Sequence, residues 1–92
     1  MRITLGDGVQ RDVARLSSSV RARLFEVILA LPAALRDPQR HSGLGLRKLH
    51  ASGIWEARIG LDLRLVFALA KDETFLVKVG SHDEVRRYLR GL

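Results

Sequence analysis

The chain has 92 residues, the size of one small domain, and we assign residues 1–92 to a single unit. It contains no cysteine, which excludes a disulfide framework and a thiolate metal site. The formal net charge is +6, and a small domain this basic is expected to bind nucleic acid or an acidic protein. The longest apolar run, residues 27–35, is too short to cross a bilayer, and no secretory signal is visible. We therefore expect a cytoplasmic protein that does not contact a membrane.

The first half of the chain predicts one strand followed by two helices. Residues 2–5 can form a short strand, and the glycines that follow predict a turn. Apolar residues recur at helical spacing over residues 9–16 and again over residues 20–31, with a run of serines between them that supplies an N-cap. Pro32 is expected to kink or restart the second helix, and the Asp37-Pro38 pair marks its boundary.

The second half predicts four strands and a closing helix. Residues 46–50 form the first strand, and three further stretches alternate between apolar and polar residues, as half-buried strands do. The alternating stretches are residues 54–59, 63–69 and 74–79. Residues 81–84 match a capping box that begins a short C-terminal helix. The predicted order is β-α-α-β-β-β-β-α, an α+β domain in which two N-terminal helices pack on one face of a small antiparallel sheet.

The apolar pattern of the first two alternating strands fixes their register. If residues 60–62 link them, Ile59 faces Leu63 on the apolar side of the sheet. The same register places Arg58 directly opposite Arg64 on the other side. A slip of one residue would scramble the core, so this pairing is a firm consequence of the pattern.

The second link, at residues 71–73, is read in the same way. It places Phe67 opposite Val77 and Leu69 opposite Phe75 on the apolar side. The aromatic residues are accordingly assigned to the core rather than to base stacking. These residues are Phe25, Trp55, Phe67 and Phe75.

The other side of the sheet is predicted to be cationic. Two arginines directly opposite each other repel, so their pairing suggests a binding site for an anion. Lys78 falls on the same side, and His82 lies just beyond the end of its strand. The alternative is a solvated face on which Glu56 and Asp62 neutralise the arginines.

In its second half the sequence resembles the RelE/ParE superfamily of bacterial toxins. The resemblance is carried by residues 45–49, 54–59 and 63–67, and by the ending at residues 79–84, which is followed by the aromatic Tyr88. It implies a RelE-like topology and a toxin of a type II toxin–antitoxin pair. RelE-like members cleave messenger RNA, typically in the ribosomal decoding site, with the ribose 2′-hydroxyl as nucleophile and without a metal. ParE-like members share the fold but poison DNA gyrase, and fold alone cannot choose between these activities.

The resemblance therefore implies a metal-independent, ribosome-dependent endoribonuclease that needs no cofactor and inhibits translation. Its partners would be messenger RNA on the ribosome and a cognate antitoxin protein, in a toxin–antitoxin hetero-oligomer. The alternative is a ParE-like toxin that is not a nuclease and binds gyrase or another protein. The cationic side of the sheet favours the first function, whereas the mixed, partly acidic residues 81–84 favour the second.

RNA cleavage by the 2′-hydroxyl needs a base, a cation that holds the phosphate, and an acid for the leaving oxygen. Arg64 matches the arginine of the family's Arg-Leu-Val-aromatic strand, and a guanidinium can hold two phosphate oxygens. Arg58 is a second cation on the same side of the sheet, and Lys48 matches the lysine of the family's Lys-Leu stretch. His82 is the candidate for proton transfer, because histidine changes charge near neutral pH.

A second group of residues is expected to contact RNA outside the reacting atoms. This group is Arg47, Lys78 and Tyr88. The structural alternatives are a packing role for Tyr88 and an exposed helix start for His82. His50 is a secondary candidate and His41 is assigned no role, and the spacing of the histidines predicts no metal site.

Overall fold

The computed structural model describes residues 1–92, except for the side chains of Pro38, His41 and Ser42. The elements are β1 Arg2–Leu5, α1 Asp7–Ala14, α2 Ser18–Arg36, a 3₁₀ helix Pro38–Leu44, β2 Arg47–His50, β3 Ile54–Arg58, β4 Leu63–Ala70, β5 Glu73–Ser81 and α3 His82–Arg90. The predicted α+β class and the predicted order of helices and strands are confirmed. Within the described part of the chain, no helix is long and apolar enough to cross a membrane.

The five strands form one sheet in the order β1-β5-β4-β3-β2. Strands β2 to β5 are antiparallel neighbours, as predicted, because short hairpins join them in sequence. Strand β1 runs parallel to β5 and forms the opposite edge of the sheet. The two helices that follow β1 provide the long connection that the chain needs to reach the far edge.

The core lies between α2 and one face of the sheet. The buried residues of α2 recur at spacings of three and four, which is the pattern of an amphipathic helix. They are Leu24, Val27, Ile28, Leu31 and Ala34. From the sheet, Leu65 and Phe67 join the same cluster and are fully buried. Each such side chain contributes roughly 1.5–3 kcal/mol by leaving water, so this face is the main source of stability.

Helix α2 begins at a serine cap and continues through its proline. The Ser17 hydroxyl accepts a hydrogen bond from the Val20 N–H at 3.4 Å, as the serine run predicts. The expected restart at Pro32 is wrong, because the helix continues without interruption to Arg36. Leu31 and Ala34, on either side of Pro32, pack in the core. This packing outweighs the loss of the one backbone hydrogen bond that a proline removes from a helix.

The register of β3 and β4 is confirmed. Arg58 pairs with Arg64, and Trp55 pairs with Phe67, as the apolar pattern predicts. Trp55 is half-buried and packs against the core cluster. By the bounds of the two strands the link between them is residues 59–62, one residue longer than predicted, and the Ile59 N–H still donates to the Leu63 carbonyl at 3.0 Å.

The register of β4 and β5 is confirmed only in part. Arg64 faces Gly80 as predicted, but Val77 is an extra residue in β5, so that Phe67 faces Leu76. A bulge of this kind reverses which side chains point to each face. Phe75 consequently lies outside the core and is 38% exposed, which makes its assignment to the core wrong.

Two further expectations are corrected. The predicted link at residues 71–73 is a two-residue turn, in which Asp72 adopts the left-handed conformation with φ 58°. Phe25 is 42% exposed, because it lies beside the buried stripe of α2 rather than within it, and its core assignment is wrong.

Helix α3 covers part of the opposite face of the sheet. Glu84 lies against Gly80 of β5, and Val66 of β4 is fully buried on this side. Val85 is the buried residue of the helix. The two faces of the sheet are therefore covered differently: α2 packs over one, and α3 shields only the β4–β5 region of the other.

Candidate functional site

We use the term cationic face for the side of the sheet that is turned away from α2, and define it by its charged residues. Cross-strand pairing places Arg47 opposite Glu56 and Arg58 opposite Arg64 on this side. Lys78 lies on the same side, opposite the buried Val66. We restrict the term cationic face to Arg47, Glu56, Arg58, Arg64 and Lys78, and leave out Arg2 and Glu73, which pair with each other at the far end of the sheet.

Arg58 and Arg64 form the predicted pair at the end of β3 and β4. Side chains directly opposite each other in an antiparallel sheet have Cβ atoms about 4.5–5.5 Å apart. Neither arginine forms an ion pair with a carboxylate in the part of the chain that the structure describes. Two like charges this close repel, so the position favours an anion that interacts with both.

The guanidinium of Arg64 lies across the loop between β3 and β4. Its Nη1 atom is 3.2 Å from the carbonyl oxygen of Leu63, and 3.4 Å and 3.5 Å from those of Leu61 and Gly60. These carbonyl groups accept long, neutral hydrogen bonds, which are weaker than bonds to an anion. The loop therefore holds Arg64 at the end of the sheet without neutralising it.

Arg58 packs over the chain segment that enters β2. A Cβ atom added to Gly45 would lie 3.4 Å from the Cβ of Arg58 and 3.5 Å from its Nε. Gly45 also has φ 58°, a conformation that side chains with a Cβ rarely adopt. Because residue 45 is a glycine, the segment that enters β2 can pass close beneath Arg58. This segment packs against one side of the exposed arginine.

His82 begins α3 at the same end of the sheet as the two arginines. Ser81, the residue before it, pairs with Leu63, which is next to Arg64 in β4. The predicted capping box is confirmed: the Ser81 hydroxyl accepts from the Glu84 N–H at 3.2 Å, and the Glu84 carboxylate accepts from the Ser81 N–H at 3.0 Å. The backbone of His82 is thus fixed by the cap, while its side chain is exposed.

Glu84 brings a negative charge to the edge of the cationic face. The Ser81 N–H, then the Ser81 hydroxyl, and then the charges of Lys78 and Arg87 lower the pKa of Glu84 below its ordinary value. A Cβ atom added to Gly80 would lie 3.0 Å from the Cβ of Glu84, a tight contact, so a larger residue there would push the Glu84 side chain aside. At neutral pH this carboxylate partly offsets the neighbouring positive charge.

Lys78 is already engaged by a buried acid that the sequence analysis did not identify. Its ammonium lies 3.3 Å from Oδ1 of Asp12, and the other carboxylate oxygen accepts from the Val79 N–H at 3.0 Å. Asp12 is 6% exposed, whereas its further partner Arg15 is largely in solvent. The signal in the sequence is that Asp12 stands three residues after the buried Val9, on the core side of α1.

The remaining RNA-contact candidates differ in availability. Arg47 lies 3.2 Å from the carboxylate of Glu56, which is itself buried, and is therefore neutralised. Tyr88 is half-buried and lines a shallow cavity of about 310 Å³ with Lys78, Glu84 and Arg87. Its ring is thus accessible from the cationic face, next to two cations.

Lys48 is not brought to this face. It pairs with Trp55, and Trp55 packs against the core on the α2 side of the sheet. Residues that pair directly across two strands point to the same side, so Lys48 also lies on the α2 side, in the edge strand β2. Lys48 is separated from the arginines because of the side to which each residue of β2 points. The sequence analysis predicted the pairing of the later strands but not that of β2, so it did not predict this side.

The other histidines lie away from the two arginines or outside the described side chains. His50 is the last residue of β2, and its Nδ1 is 2.7 Å from the Ser52 hydroxyl and accepts from the Ser52 N–H at 3.1 Å. It pairs with Ile54, at the opposite end of β3 from Arg58. The side chain of His41 lies outside the described residues. Among those that are described, no group of three or more His, Cys, Asp or Glu is placed to hold a metal.

Comparison with solved structures gives similar chains over nearly the whole length. A chain of an archaeal RelE–RelB complex from Pyrococcus horikoshii OT3 is 18% identical, with 87% of this chain and 92% of that chain covered and a TM-score of 0.67. A YoeB/ParE toxin from Agrobacterium tumefaciens is 20% identical, with 89% and 99% covered and a TM-score of 0.67. A copper-bound mutant toxin from Helicobacter pylori is 29% identical, with 91% and 97% covered and a TM-score of 0.65. No protein-family model matches the sequence, and no match is found among curated proteins.

Proposed function

We propose that this chain, whose fold is that of the RelE/ParE-like toxins, is the toxin of a type II toxin–antitoxin pair and cleaves messenger RNA. In this proposal it acts in the cytoplasm as a metal-independent, ribosome-dependent endoribonuclease and inhibits translation. The observation that carries the proposal is the pair Arg58 and Arg64, which have no carboxylate partner among the described residues and lie at the same end of the sheet as the exposed His82. A phosphate under attack gains negative charge, which such a pair stabilises.

The proposed reaction assigns one role to each of these groups. Arg64 holds two oxygens of the scissile phosphate in place of its long bonds to the loop carbonyls, and Arg58 adds a second charge. The 2′-hydroxyl loses its proton and attacks the phosphorus, the bond to the 5′-oxygen breaks, and that oxygen takes up a proton. His82 transfers one of these two protons, because imidazole is both an acid and a base near neutral pH.

The RNA contacts follow from the placement of the surrounding residues. Tyr88 can stack on a base next to the cleavage site, because its ring is accessible beside Lys78. Lys78 and Arg47 contribute positive potential while remaining paired with Asp12 and Glu56. A role for Lys48 requires that the RNA or the ribosome also contact the β2 edge of the sheet.

The proposed partner is an antitoxin protein that covers the arginine pair. A net charge of +6 favours an acidic segment, disordered on its own, that folds as it wraps the toxin. Support comes from the RelE–RelB complex among the similar structures. A pull-down with the product of the adjacent gene, followed by competition with RNA, tests whether the two ligands exclude each other.

A ParE-like toxin that binds gyrase is the second candidate. The observation in its favour is the segment that joins β5 to α3, because Ser81 and Glu84 are occupied by the capping box. The resemblance to the RelE/ParE superfamily implies that the strongest nuclease members carry several basic residues, or a histidine–tyrosine pair, near the end of the last strand. The carboxylate of Glu84 instead lowers the positive charge next to Arg64.

One experiment separates the two candidates. The chain is expressed alone under tight control, messenger RNA ends are mapped after induction, and gyrase supercoiling is assayed in parallel. Cuts within translated regions that disappear in Arg64→Ala, but persist in the exposed control Arg36→Ala, support the nuclease. Intact messenger RNA with inhibited supercoiling selects the ParE-like function, and a harmless chain that binds no neighbouring gene product refutes both.

A further inference from the structure

Helix α3 presents three arginines to solvent that have no role in the proposed cleavage. They are Arg86, Arg87 and Arg90. Since a helix turns about 100° per residue, all three lie within an arc of about 100° on the side opposite the buried Val85. Asp83 stands within this arc, and His82 lies about 40° outside it on the side of Arg86. We use the term α3 arc for Arg86, Arg87 and Arg90.

Helix stability alone does not explain the α3 arc. Arg86 and Arg90 are one turn apart, a spacing at which like charges destabilise a helix. Asp83 is correctly spaced to pair with Arg86 or Arg87, yet no ion pair joins them in the part of the chain described. The helix dipole favours Arg87 and Arg90 in the last turn, but Arg86 lies outside that turn.

The α3 arc is continuous with the proposed cleavage site. Its three arginines and Asp83 line a polar surface cavity of about 360 Å³. Arg87 also lines the neighbouring cavity that contains Lys78 and Tyr88. Arg87 lines both cavities and so connects the α3 arc with Lys78, while one carboxylate lies in each cavity, Asp83 in the first and Glu84 in the second.

The dimensions of the arc fit a nucleic-acid strand. Arg86 and Arg90 are separated by ~6 Å along the helix axis, which is comparable to the separation of successive phosphates on one strand. The distance from His82 to Arg90 along the axis is ~12 Å, enough for two such steps. Arginine suits this role because its guanidinium can bind two phosphate oxygens at once.

We infer that the α3 arc binds the phosphate backbone of RNA, independently of sequence, and leads the strand towards His82. The choice of RNA rests on the proposed function, but binding to the arc requires no cleavage. The interaction is electrostatic, so its affinity should fall steeply as salt is added.

The test measures binding of the intact protein to a short single-stranded 2′-O-methyl RNA, which has no 2′-hydroxyl to react. In the double variant Arg86→Gln/Arg90→Gln, affinity should fall about tenfold at low salt, and the slope of log affinity against log salt should decrease by about 1.4. The control Arg11→Gln/Arg36→Gln removes the same charge from exposed positions of α1 and α2, and should bind nearly as well as the native chain. Circular dichroism melts confirm that both double variants are folded.

Two further measurements sharpen the result. Arg86→Lys/Arg90→Lys should recover the salt slope, because the positive charges are restored. Equal losses in the arc variant and in the control would overturn the inference, since net charge alone would then explain the binding. A DNA duplex of equal length that binds at least as tightly, with the same dependence on the arc, would overturn the assignment to RNA.

The inference and the proposed function fail in different ways. Binding that depends on the arc, together with intact messenger RNA after induction, refutes cleavage and leaves the binding surface in place. If the native chain cuts messenger RNA but the arc variant binds RNA normally, only the inference about the α3 arc is refuted.

Discussion

The two ends of the cationic face use positive charge in opposite ways. At the edge formed by β5, Lys78 is held by the buried carboxylate of Asp12 at 3.3 Å. At the end formed by β3 and β4, Arg58 and Arg64 face each other without a carboxylate among the described residues. A neutralised cation contributes to the fold, whereas an unpaired one costs stability and remains available to a ligand.

The reason for the difference lies in how β5 is flanked. Strand β1 ends at Leu5, opposite Leu76, so the rest of β5 has no neighbouring strand on that side. Helix α1 takes that place, and the carboxylate of Asp12 accepts the Val79 N–H that a strand would otherwise bind. Lys78 then balances the buried carboxylate. The charges at this edge are therefore part of the fold, in contrast to those of the arginine pair.

The largest effect is expected at Arg64. Arg64→Ala should lower the rate of RNA cleavage by on the order of a hundredfold or more, because it removes a charge aimed at the phosphate. Its thermal stability should be unchanged or slightly higher, since the repulsion from Arg58 is relieved. Cleavage assays and melting curves on one preparation check both. Full toxicity in folded Arg64→Ala would show that the arginine pair is not the site.

The next effect is expected at His82. His82→Gln should slow cleavage by about a hundredfold and change the pH–rate profile, because glutamine cannot transfer a proton. RNA affinity should be preserved. His50→Gln is the matched control, since His50 lies at the other end of β3, and its profile should match the native one. An unchanged profile in His82→Gln would reduce His82 to an exposed helix start.

The structural role of the charges at the β5 edge is tested at Asp12. Asp12→Ala should destabilise the protein by about 3 kcal/mol, because it leaves the Val79 N–H and the charge of Lys78 without partners. Urea denaturation measures the loss, and Asp12→Asn should recover part of it by keeping an oxygen acceptor. A stability loss in Arg64→Ala as large as that in Asp12→Ala would erase the distinction between the two ends.

The pairing of the strands was predictable from sequence where the apolar pattern allowed only one assignment of residues to the core side of the sheet. In β3 the charged residues Glu56 and Arg58 mark the outward face, and in β4 Arg64 lies between Leu63 and Leu65 beside the connecting loop, so the register that pairs Arg58 with Arg64 followed from the pattern. Strand β5 contains three consecutive apolar residues, Phe75, Leu76 and Val77, which satisfy alternation in either phase. The bulge at Val77 determines which of these residues point to the core. Its position depends on tertiary packing, which the order of apolar and polar residues in β5 does not reveal.

The candidate site was predictable to the same extent. Residues placed by the β3–β4 register, such as Arg64, lie where the sequence predicts. Lys48 lies on the other side because a short edge strand has little pattern to fix its phase. Asp12 was missed because its partner Lys78 is 66 residues away, beyond the reach of any local motif.

The smallest effect is expected at Glu84, between the two ends. Hydrogen bonds from Ser81 lower the pKa of Glu84 in the folded chain, so its carboxylate form stabilises the fold. That contribution is complete above the ordinary value of 4.5 and is lost as the pH falls through the lower folded value. Glu84→Gln should therefore melt a few degrees below the native chain at pH 7, with the difference closing under acidic conditions. Asp83→Asn, in the same helical turn but outside the cap, should show a smaller difference, and a gap for Glu84→Gln that persists in acid would rule out the capping carboxylate as its cause.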